Sequence, residues 1–90
     1  MRFTVTWSED AECRLAEIWL AASDRRTVTE ATSRIDDELG RHADTVGEGR
    51  SATRRIFFVP PLAIEFRVST DDRLATVFAV WQYPPQAPNK

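Results

Sequence analysis

The chain has 90 residues, enough for one domain with one core, and its 42% hydrophobic and 29% charged content is that of an ordinary globular protein. The formal net charge of −2 argues against a surface built mainly to hold nucleic acid, and no run of about 18 apolar residues offers a membrane span. The single cysteine, Cys13, rules out an internal disulfide and makes a reducing, cytoplasmic location the default.

The N-terminus alternates and then turns acidic, which is no signal-peptide pattern. In "FTVTW" (residues 3–7), Phe3, Val5 and Trp7 share one face and Thr4 and Thr6 the other, as in a half-buried strand. Ser8 offers an N-cap, and Glu9 and Asp10 sit where the helix dipole favours negative charge. Ala11, Leu15, Ile18, Trp19 and Ala22 keep a 3.6-residue period, so residues 9–22 are predicted to be an amphipathic helix.

Ser23 or Asp24 would cap a second helix with Val28, Ala31, Ile35 and Leu39 on its apolar stripe and Gly40 as its C′ residue. So short a link predicts an antiparallel helical hairpin, with Glu30, Asp36, Asp37 and Glu38 on its solvent face. Residues 41–52 carry two glycines and many polar groups and are predicted to be a long loop.

Three strands follow, at 54–59, 62–68 and 74–81. In the second, Leu62, Ile64, Phe66 and Val68 face one way and Ala63, Glu65 and Arg67 the other. The third is apolar at nearly every position, which predicts a central strand covered on both faces. Pro60-Pro61 separates the first two strands. Proline at the third position of a tight turn needs a cis bond, so Pro60-Pro61 is either cis in a tight turn or, as expected, trans in a wide connection. "STDDR" closes the next turn, and the Pro-rich residues 84–90 are predicted to be a flexible tail beyond a single domain at 1–83. The order β-α-α-β-β-β predicts an α+β domain, a helical hairpin packed on a small, largely antiparallel sheet.

Charge divides along the chain. Residues 9–48 hold eleven acidic and five basic residues, and residues 49–90 three acidic and six basic. Arg50, Arg54 and Arg55 form a basic group suited to phosphate or to an acidic partner, and Glu65 and Arg67 share one strand face, placed to pair there or with Arg55. Trp7, Trp19 and Trp81 fall on apolar faces and are expected in the core, with Trp81, at a strand end, open to partial exposure. His42 reads as a surface residue beside a helix end, and Cys13 as inert. One histidine and one distant cysteine make no metal site, and no cofactor is expected.

The strand "FTVTW" passing into "SEDAECRLAEIW", the helix "VTEATSRIDDEL", the loop "GEGR" and the meander "RRIFFV…LAIEFRV…DDRLATVFAVW" together resemble the RelE/ParE family of prokaryotic toxins over residues 2–82. The resemblance implies a small toxin neutralised by a cognate antitoxin. RelE-like members cut mRNA on the ribosome without a metal, and ParE-like members inhibit DNA gyrase. The ribonucleases commonly carry Tyr-Arg where this chain has Leu62-Ala63, and a basic residue or histidine where it has Trp81-Gln82-Tyr83. That leaves Arg54, Arg55, Arg67 and Tyr83 as weak catalytic candidates, and Arg50, Arg54, Arg55, Glu65, Arg67 and Trp81 as residues for antitoxin or target binding. The missing pair and the acidic balance tilt the expectation to a ParE-like inhibitor of a protein target such as gyrase. A ribosome-dependent endoribonuclease and a non-toxic partner-binding member are the alternatives.

Overall fold

The computed structural model describes residues 2–83, arranged as β1 (Thr4–Trp7), α1 (Glu9–Ala21), α2 (Arg25–His42), β2 (Glu48–Gly49), β3 (Arg54–Val59), β4 (Leu62–Ser69) and β5 (Leu74–Gln82). The tail expected at 84–90 lies outside the described residues.

Local chemistry sets the helix starts. The Ser8 hydroxyl accepts from the Ala11 N–H at 3.1 Å and caps α1. Asp24 rather than Ser23 caps α2, its carboxylate accepting from Arg26 N at 3.1 Å and Thr27 N at 3.4 Å. The helices form the expected hairpin, tied where the Trp19 indole donates to Thr29 Oγ1 at 3.1 Å. Val28, Ala31, Ile35 and Leu39 of α2 and Ala11 and Ile18 of α1 are buried against the sheet. Among the described residues no helix is long and apolar enough to cross a membrane.

The sheet order is β1-β5-β4-β3-β2, with β1 parallel to β5 and every other pair antiparallel. Two helices on one side of a mostly antiparallel sheet make the expected α+β fold. Phe66, Leu62, Ile64 and Val77 meet Ile35 and Leu39 at the centre of the core.

Five expectations need correction. First, α2 does not stop at Gly40 but runs to His42. Gly40 is buried, and its carbonyl accepts the Phe3 N–H at 2.8 Å, which ties α2 to the start of β1. The left-handed glycine is Gly47, at φ 80°.

Second, the long loop contains a strand, since Glu48 and Gly49 pair with Ile56 and Arg55. Two residues are too few for alternation to announce. Third, the Pro60-Pro61 peptide is cis and Val59 pairs directly with Leu62, so the connection is tight rather than wide.

Fourth, β5 is interior but covered on one face only: Ala75, Val77 and Val80 are buried, while Thr76, Phe78 and Trp81 are half-buried. Fifth, Trp19 is 39% exposed, and Trp81 lies on the sheet face away from the helices. Only Trp7 packs at the margin of the core, its indole donating to Asp36 at 2.9 Å.

The candidate interaction face of the sheet

Strand alternation sends every second residue of β3, β4 and β5 away from the helices. In register, this open face sets Arg54 opposite Arg67, Ile56 opposite Glu65 and Phe58 opposite Ala63. It continues onto β5 with Arg67 opposite Thr76, Glu65 opposite Ala79 and Ala63 opposite Trp81. Among the described residues no helix covers these side chains, and polar and aromatic groups of three strands converge on this face.

A bulge shapes it. Phe66 pairs with Val77 but Glu65 with Ala79, so Phe78 is the extra residue of β5. Its ring lies under the Arg67 guanidinium, 5.0 Å from guanidinium carbon to centroid. The phase slip is visible in "LATVFAVW", where inward residues change from Ala75 and Val77 to Val80, and the sequence reading did not use it.

The face has two ends. At the charged end Arg54 Nε lies 3.5 Å from Glu65 Oε2, with side-chain exposures of 45% and 20%. Glu65 thus pairs with Arg54 and not with Arg55. Arg54 and Arg67 are direct cross-strand partners, a like-charge placement that costs stability unless an anion lies between them. Among the described residues Arg67 has no carboxylate partner.

At the aromatic end the Phe58 and Tyr83 rings tilt together at 4.7 Å, and the Tyr83 N–H donates to the Pro61 carbonyl at 2.9 Å. Ala63 is fully buried yet outside the helix-side core cluster, because Phe58 and Trp81 flank it on the open face. Leu62, the other residue at the position of the expected Tyr-Arg pair, is buried under the helices.

The three clustered arginines separate. Arg55 points to the helix side, where its Nε donates to the Val46 carbonyl at 2.7 Å and its Nη2 to those of Gly47 at 2.9 Å and Thr45 at 3.2 Å. It binds the chain's own connection between α2 and β2. Arg50 lies exposed in the turn between β2 and β3, its backbone N–H donating to the Arg54 carbonyl at 2.8 Å. Arg54, Glu65, Arg67, Trp81 and Tyr83 therefore share one face, while Arg50 sits at its edge and Arg55 behind it. Among the described residues no three His, Cys, Asp or Glu side chains come together as a metal-ligand set.

This architecture is similar to that of solved toxin–antitoxin structures. A chain of the toxin–antitoxin complex RelBE2 from Mycobacterium tuberculosis matches with a TM-score of 0.74 at 14% identity, over 91% of this chain and 92% of that one. A chain of the chromosomal ParDE system from P. aeruginosa matches at 0.66 with 12% identity, over 90% and 96%. A chain of the archaeal RelE–RelB complex from Pyrococcus horikoshii OT3 matches at 0.58 with 12% identity, over 96% and 100%. The chain has the RelE/ParE toxin fold. No family model and no curated protein matches its sequence.

Proposed function

We propose that the chain is the toxin of a type II toxin–antitoxin pair, neutralised by a cognate antitoxin, and that it acts ParE-like on a protein target such as DNA gyrase. The fold likeness supports the toxin part, and the layout of the open face supports the target.

Metal-free RNA cleavage needs a base at the 2′-OH and a cation at the same phosphate, both within hydrogen-bond reach. Tyr83 is held against Phe58, level with Ala63, and Arg67 lies over Phe78. Ala63 and Arg67 lie four β4 residues apart, about 13 Å along the backbone, and among the described residues no hydrogen bond or ring contact joins Tyr83 to Arg67. The phenol and the unpaired guanidinium thus serve different ends of the face, and Ala63 offers no functional group between them. This separation is the observation that carries the reading.

A second reading, a ribosome-dependent mRNA endoribonuclease, draws on Glu65. A carboxylate paired with Arg54, with Arg67 two residues along the same strand face, is a minimal set for a general base with phosphate stabilisation.

Regulated expression in a bacterial host separates the readings. The toxin proposal expects growth to stop and an adjacent antitoxin gene to restore it; unaffected growth sinks it. Primer extension on ribosome-bound mRNA then decides the target. Cuts at codon positions select the endoribonuclease, and a DNA-damage response without cuts selects the gyrase-type inhibitor.

A further inference from the structure

The helical side of the molecule carries a groove that its own side chains leave unfilled. The groove runs between α1 and α2, has a volume of about 500 Å³, and is lined by Leu15, Ala16, Trp19 and Val28 with Glu12 at one end. Beside it stands Leu20, 63% exposed, the most exposed large hydrophobic among the described residues. Glu12, Ala16 and Leu20 are four residues apart and form one row along α1: a carboxylate, a small residue and a large apolar knob. Arg25 sits at the Leu20 end of that row. Its Nε donates to the Trp19 carbonyl at 3.1 Å and its Nη2 to the Leu20 carbonyl at 3.0 Å, and its guanidinium carbon lies 4.8 Å from the Trp19 ring centroid. Among the described residues neither Arg25 nor Glu12 has a partner of opposite charge.

We infer that α1 docks against α1 of a second copy of this chain, antiparallel about a two-fold axis at Ala16, with Leu20 of each copy seated in the groove of the other. The axis sets Leu20, four residues after Ala16, level with Glu12 of the other copy, four residues before it. Arg25, held at the Leu20 level by its two carbonyl bonds, then faces that same carboxylate. A two-fold contact needs knob, hole and both charges on one surface, and this surface holds all four. Ala16 at the crossing lets the two helix axes come close. The antiparallel sense also sets the acidic first turn of each α1, Glu9, Asp10 and Glu12, beside the negative helix end and Arg25 of the other, so the guanidinium answers a charge at both ends of the contact. Charge complementarity selects the second copy: a basic partner would answer Glu12 and leave Arg25 facing a like charge, and an acidic partner would do the reverse. The contact spans about two helical turns per copy, the low end of specific interfaces, so the dimer should be half formed only on the order of 100 µM. The open sheet face lies on the other side of the molecule and stays uncovered, so this inference stands apart from the toxin reading.

Sedimentation equilibrium of the full chain from micromolar to millimolar tests it. The expected mass rises from the monomer's 10.3 kDa towards twice that value. Leu20→Glu should weaken the association more than tenfold, because it places a carboxylate in an apolar groove beside Glu12. Glu12→Lys should weaken it about fivefold through repulsion from Arg25. Both positions are exposed, and thermal melts confirm that the variants fold. Cross-linking tests the register. In a Cys13→Ser background, Ala16→Cys should form an intermolecular disulfide under mild oxidation much faster than Arg14→Cys, which lies on another side of α1. A mass of one chain at millimolar concentration overturns the inference and leaves the groove to a different occupant. A dimer that Leu20→Glu does not weaken, or equal cross-linking at positions 14 and 16, overturns it as well by placing the contact elsewhere.

Discussion

Adjacent arginines 54 and 55 do opposite jobs because neighbouring residues of a strand face opposite sides. Three carbonyls receive the Arg55 guanidinium, all from the segment that leads out of α2. Arg55→Ala should therefore destabilise the protein by about 1.5–3 kcal/mol, the range for hydrogen bonds to a charged group. Arg54→Ala and Arg67→Ala, with exposed side chains, should stay within about 0.5 kcal/mol. Urea unfolding of the three variants checks the contrast, and equal losses would refute the division. The same connection needs Gly47. Its φ is 80°, and a Cβ there would collide with the Ile56 carbonyl oxygen and crowd the Phe57 Cβ. Gly47→Ala should cost at least about 2 kcal/mol, the left-handed penalty plus the displaced backbone. The basic group was legible in the sequence, and its division follows from strand alternation over 54–59, which the sequence reading did not apply to Arg54 and Arg55. Its role was not: the acceptors of Arg55 lie 8 to 10 residues upstream in a segment without periodicity.

At the scale of elements, helix starts were legible and helix ends were not. Ser8 and Asp24 cap through bonds to residues two or three positions ahead, so the information is local. Gly40 has the composition of a C-terminal signal, yet α2 passes through it because Phe3, 37 positions earlier, bonds to its carbonyl. The two views of Gly40 predict opposite signs. A left-handed C′ glycine would lose stability on substitution by alanine. In the structure Gly40 has helical neighbours on both sides, and a Cβ would meet the Arg2 Nη1 at 3.6 Å and the Phe3 O at 3.9 Å, ordinary contact distances. Gly40→Ala should therefore stabilise by about 0.5–1 kcal/mol through helix propensity and a less flexible unfolded chain. A lower melting temperature in the variant would show that the packing has no room. β2 was beyond the sequence for a different reason: a two-residue strand exists only because β3 offers it an edge.

At the scale of the whole molecule, the pairing of β1 with β5 joins residues 70 positions apart, Thr4 to Leu74 and Trp7 to Val77. Nothing local to "FTVTW" specifies that neighbour or its parallel sense, and the sequence reading did not include the pairing. That closure fixes a two-sided charge distribution. The helices carry eight carboxylates and five guanidiniums, a net negative side, and the opposite sheet face carries the Arg54–Glu65–Arg67 group with its positive surplus. The four ion pairs among the described residues are mostly exposed, and three of them link residues within one helix. Pairs of that kind contribute about 0–1 kcal/mol each, whereas folding rests on the apolar cluster between helices and sheet. Raising salt until the Debye length falls from about 10 Å to about 3 Å should thus move the melting temperature of the free chain by only a few degrees. Melting curves at the two salt concentrations check this, and a large drop in melting temperature would show that surface charge helps hold the fold.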